Sequence, residues 1–171
     1  MGVTIHFEGK IRDDEAYQEI CKLAHVFAEE KNWPIELIDE QEVTLNRVKN
    51  EEDWNYVGPV KGLVMQPHEN SDPLRLEFDK DLYVQEYIKT QFAPTECHIA
   101  ITTLLRNLTP FFENLEVIDE AEYFETGNKA QLQHHLDRCF EMLDEYLENS
   151  EKYYGPVRLE NGRIIDIMEQ E

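Results

Sequence analysis

The sequence predicts a single α+β domain spanning residues 1–171: a largely antiparallel sheet, three main helices packed mainly on one face, and a C-terminal β-hairpin. Three observations carry this. The stretch Ile35-Glu36-Leu37-Ile38-Asp39-Glu40 returns as Leu115-Glu116-Val117-Ile118-Asp119-Glu120, each copy after an amphipathic stretch, which suggests two loosely related strand-helix-strand halves (1–66 and 74–149). Three long segments carry apolar residues at helical three- and four-residue spacing. The stretches between them alternate apolar and polar residues, as half-buried strands do.

In chain order, Val3, Ile5 and Phe7 alternate with Thr4, His6 and Glu8 and read as a strand. Asp13-Asp14 suits the positive end of a helix over 15–31, whose stripe is Tyr17, Ile20, Cys21, Ala24, Phe27 and Ala28. Trp33-Pro34 stops it, because proline cannot continue a helix. A strand through Ile35 and Leu37 follows, then an acidic turn at Asp39-Glu40, then another strand through Val43 and Leu45. Residues 49–58 read as an ordered connecting loop carrying Trp54 and Tyr56. Residues 60–66 and 74–78 are strands joined as a hairpin by the turn-rich Pro67–Pro73.

Thr95 is a candidate N-cap for a helix with the stripe Ile101, Leu104, Leu105 and Leu108, ending near Pro110. The second echoed strand comes next, then a possible strand over 122–126. The most regular helix runs from Lys129 to Glu148 on Leu132, Leu136, Cys139, Phe140, Leu143 and Leu147. Asn161-Gly162 predicts a tight two-residue turn within a hairpin over 157–167, ending in a disordered acidic fringe at 169–171. A longer alignment pairs Phe7–Lys10 and Tyr17–Ile20 with Phe78–Asp81 and Val84–Tyr87.

Charge restricts function. Thirty-seven acids against sixteen bases give a net charge of −21, a field that opposes nucleic-acid backbones and anionic lipid. Such acidity serves solubility or complementarity to a basic protein. No apolar run approaches the ~20 residues that span a bilayer, and residues 1–8, which lack a basic stretch followed by an apolar one, are not expected to act as a signal peptide. Three cysteines give no disulfide framework and suit a reducing compartment. The expected location is the cytoplasm.

Chemistry-bearing residues form few patterns. Cys21 with His25, and His135 with Cys139, stand four apart on two helices, the spacing that shares one face, and so form a candidate Cys₂His₂ metal set. The cysteines fall within apolar stripes, where packing is the better reading. The twin Ile-Asp-Glu strand ends offer oxygen ligands for Mg²⁺ or Ca²⁺, but no calcium-loop spacing accompanies them. His98, His134 and His68 read as surface histidines; Cys97, near a helix start, is a candidate low-pKa thiol. Asn107-Leu108-Thr109 is a glycosylation sequon on a helix and is set aside. The tyrosines suit an interface or packing equally. Glycine-rich phosphate loops, HExxH, GxSxG and CxxC are absent, so no cofactor is expected.

The most coherent candidate is a face. Glu8, Glu77 and Asp79, with His6 and Arg75 among them, lie on the polar sides of strands; if helices cover one side, these residues line the other. Two functional expectations follow. The leading one is a non-enzymatic interaction protein whose acidic surface meets a basic protein partner. The alternative is a small-molecule-binding domain or modest enzyme that uses His6, Glu8, Arg75 and Glu77 on the uncovered face to hold a polar or cationic ligand.

Overall fold

In the computed structural model, which describes residues 2–171, strand β1 (Thr4–Ile11) sets the pattern of the whole molecule. Ile5, Phe7 and Ile11 point into the core, while His6 and Lys10 face the opposite side and are exposed. Helix α1 (Asp14–Lys31) begins where the Asp13 carboxylate accepts the Ala16 N–H at 2.8 Å. It ends where Asn32 turns left-handed (φ 58°) before Pro34. Its apolar stripe, Tyr17, Ile20, Ala24 and Phe27, is buried against the sheet.

Strand β2 (Ile35–Leu45) is one continuous edge strand, so the expected break at Asp39-Glu40 is only a bulge between Glu40 and Val43. An edge strand carries such acids at little cost because one side is free to solvent. The segment expected to be a loop is more structured. A small hairpin pairs β3 (Val48–Lys49) with β4 (Glu52–Asp53), and β5 (Tyr56–Met65) starts four residues earlier than its apolar run. β5 pairs antiparallel with β2 and with β6 (Leu74–Phe78), as the hairpin expectation has it.

A buried ion pair holds this corner. Arg47 is 1% exposed, bonds Asp79 at 2.5 Å and donates to Tyr83 O at 3.0 Å. Its guanidinium lies within 5.6 Å of the ring centres of Trp54, Tyr56 and Tyr83. Trp54 and Tyr56, expected in a connecting loop, thus form with Tyr83 a cage for a buried cation.

β7 (Tyr83–Lys89) was not legible as a strand; the longer alignment set it against helical residues and fails there. β7, β1 and β8 (Phe112–Asp119) form a second antiparallel sheet in the order β7-β1-β8. β2 and β8, which carry the echoed motif, stand at the outer edges of the order β2-β5-β6 and of this second sheet.

Helix α2 (Thr95–Leu108) supplies the second half of the helical layer, burying Ile101, Leu104, Leu105 and Leu108. Pro94, not Thr95, occupies its cap position, so the first turn lacks a side-chain cap. The possible strand at 122–126 is instead the short helix α3 (Tyr123–Thr126), closed by the left-handed Gly127. Helix α4 (Lys129–Glu148) has the expected bounds, capped by Asn128. Only Leu132 and Leu136 of its stripe are buried, against Val3 and Ala121, while Phe140 remains 43% exposed. Among the described residues no helix is long and apolar enough to cross a membrane.

The C-terminal segment returns to the sheet junction. β9 (Tyr153–Tyr154) pairs with β12 (Met168–Glu169), which draws Glu169 out of the expected disordered fringe. Inside them, β10 (Val157–Arg158) pairs with β11 (Ile164–Ile165). The hairpin turn is three residues long rather than two: the Leu159 N–H bonds Arg163 O at 2.8 Å, and only Gly162 has positive φ (86°). This is a standard outcome for a type I turn closed by glycine. The Asn161 side chain stabilises it by accepting the Arg163 N–H at 3.0 Å.

Candidate functional site

Strand registers build the site. On the side away from α1 and α2, the rows Tyr87–His6–Ile118 and Gln85–Glu8–Glu116 cross the second sheet. The rows Glu36–Val64–Arg75 and Ile38–Gly62–Glu77 cross the first. All of these residues but Gly62 line an open-sided groove of about 1130 Å³. Gly62 permits the close approach of its floor strands, since a Cβ there would lie 1.7 Å from Leu76 O.

All four residues predicted for a ligand face, His6, Glu8, Arg75 and Glu77, line this one groove. Glu8 accepts from Gln85 at 3.1 Å and from the Tyr83 hydroxyl, and burial with that bond pushes the Tyr83 phenol up. His6 bonds Glu120 at 3.1 Å beside the Tyr87 ring. Asp79, expected on the same face, is withdrawn into the Arg47 pair.

The two sheets meet between β6 and β7, and no ladder forms there. Backbone bonds tie only the ends of the junction, from Asp79 N–H to Tyr83 O and from Asp72 N–H to Lys89 O. Side chains occupy the interval. Arg75 bonds Glu77 at 3.0 Å and the hairpin carbonyl of Asn161 at 2.7 Å. Arg163 bonds Glu86 at 2.8 Å and the Tyr87 carbonyl at 2.9 Å, so it caps an edge acceptor that no strand satisfies. Asp72 fastens the hairpin by accepting the N–H groups of Ile164 and Lys89.

Glu86 is the perturbed group of the site. Burial, reinforced by Glu77, lifts its carboxyl from 4.5 to about 7 against the opposing effects of Arg163 and Arg75. Sequence reasoning missed Glu86 and Arg163. Glu86 takes a core-side place between Val84 and Ile88, breaking the alternation that marks a strand. Arg163 lies 77 residues away in a turn.

The other candidates separate. Cys21 packs in the main core and Cys139 against the smaller cluster, and the His25 ring bonds the Cys21 carbonyl. Among the described residues no three potential ligands gather as a metal site, the twin Ile-Asp-Glu ends included. His98 is fully buried rather than on the surface, bonding Thr90 Oγ1 at 2.6 Å and Asp119 at 2.9 Å. Burial pushes Asp119 upward, but His98 and the amides of Ala121 and Phe124 outweigh it and hold the carboxyl below its usual range. With Thr90 and His98 both at 0% exposure, this hydroxyl-imidazole-carboxylate chain has no access to substrate and serves as a core network. Burial pushes the Cys97 thiol up to about 11, opposite to the lowered value that a helix start suggests.

Fold and groove together define an α+β domain with helices on one face of its strands and a charged concavity on the other. No protein-family model, curated protein or solved structure matches the chain.

Proposed function

We propose that the concave strand face is a binding site for a small organic cation with an apolar portion. The observation that carries this is the balance of charge in one concavity. Six glutamates (Glu8, Glu36, Glu40, Glu77, Glu86 and Glu116) face two arginines, each already paired with a glutamate of the groove. A floor with Ile38, Val43, Val60, Val64 and Ile118 accepts an apolar body. Mixed linings of this kind, apolar with a few fixed polar groups, are what ligand sites present. The volume also reaches the upper range of such sites, on the order of 1,000 Å³. The reading as an acidic partner for a basic protein rests on net charge alone, whereas concavity favours a small ligand.

Benzyltrimethylammonium is expected to raise the melting temperature at millimolar concentration, because a ligand that binds only the folded state stabilises it. Benzoate, of opposite charge, should not. Ile118 is 64% exposed and lines the groove, so Ile118→Lys should preserve the fold and abolish the response by adding a competing cation. A flat response to the ammonium ion, or a response that Ile118→Lys leaves intact, rejects this function.

A further inference from the structure

We infer that the groove contains a subsite for a planar cation, a guanidinium or amidinium group, on Tyr87 and Glu86, and that Arg163 is its tethered occupant. This deepens the cation-binding reading and rests on it. The Arg163 guanidinium carbon lies 4.0 Å from the Tyr87 ring centre, a stacking distance. One nitrogen bonds the Glu86 carboxylate at 2.8 Å and another the Tyr87 carbonyl at 2.9 Å. Ring face, carboxylate and backbone acceptor form three walls that match a flat, multiply donating cation and suit a compact ammonium poorly.

The site is reachable. Tyr87 is 43% exposed and lines the open side of the groove with His6 next to it. The occupant comes from the hairpin, whose turn fixes Arg163 beside Asn161 and whose backbone stays fastened through Ile164 to Asp72. The guanidinium also faces Asp72 Oδ2 at 3.6 Å, but that carboxylate keeps its bonds from the Ile164 and Lys89 N–H groups when the side chain leaves, so the hairpin remains docked. A tethered group competes at an effective concentration in the millimolar range, so free ligands of this chemistry bind weakly until Arg163 yields.

The test is a titration with methylguanidinium, with methylammonium as the non-planar control, followed by thermal shift and by the Tyr87 ring resonances. Arg163→Ala should bind methylguanidinium at least about tenfold more tightly than the wild type. It should ignore methylammonium and lose the effect when Glu86→Gln is added. Should Arg163→Ala fail to fold, Arg163→Gln, which retains a planar donor without charge, takes its place in the same titration. Equal affinity in wild type and variant, or binding that survives Glu86→Gln, overturns the subsite. If benzyltrimethylammonium still binds while methylguanidinium is indifferent to Arg163, the subsite falls and the broader cation reading stands. If neither cation binds, both fall.

Discussion

Asp79→Ala should cost 3–5 kcal/mol, in order of magnitude, the expected result of leaving a buried guanidinium without its counter-ion. Arg47 is 1% exposed and Asp79 6%, so water cannot replace the lost carboxylate. The substitution also removes the acceptor for the Asp81 and Tyr83 N–H groups, at 2.8 and 3.1 Å, which shape the turn between β6 and β7. Arg47 Nε already has no partner, so the remaining bond to Tyr83 O is a poor substitute. Such a loss is a large share of the ~5–15 kcal/mol that holds a domain of this kind together.

The comparison that isolates the cause is Arg47→Met combined with Asp79→Ala. Removing both charges eliminates the orphaned cation, so the double variant should be more stable than Asp79→Ala alone. Urea midpoints at constant slope read this directly. A single-variant loss below about 1 kcal/mol, the scale of exposed pairs, would show that the pair is solvated and that the corner is held by its aromatics alone.

The main elements and the face that forms the groove were legible because periodicity reports which side of a strand or helix is apolar. β1 and β6 alternate cleanly, so His6, Glu8, Arg75 and Glu77 could be assigned to one surface without knowing how the strands pair. What stayed hidden is long-range and electrostatic. In β7 a glutamate stands where the pattern asks for an apolar residue, and its partner is supplied by a turn distant in sequence. His98 shows the same limit in the core. Its neighbours in sequence do not reveal Asp119, 21 residues on, which makes full burial tolerable. Local rules fail at the residues whose environment is assembled by tertiary structure. Here one such place is a core network and the other is the junction of β6 and β7 that borders the groove.

The second large effect is a dependence of stability on pH that belongs to Glu86. A carboxyl with a folded-state pKa of about 7 against 4.5 unfolded favours the fold in its protonated form. Its contribution is therefore fully present below pH 4.5 and is lost as pH rises through about 7. The interval corresponds to about 3 kcal/mol. Solvent screening reduces it little, since the side chain is only 10% exposed. Glu86→Gln, a neutral isostere, should be nearly as stable as the wild type in acid and more stable above pH 8. Differences between the two proteins cancel the titration of every carboxylate they share. Glu77→Gln should narrow the same window, because the Glu77 charge is the second cause of the shift. Arg163→Ala should widen it by removing the principal charge that favours the ionised form. Chemical denaturation of wild type and Glu86→Gln between pH 5 and pH 8.5 decides the matter: parallel curves would mean that Glu86 titrates as an ordinary carboxylate and that the junction between β6 and β7 is open to water.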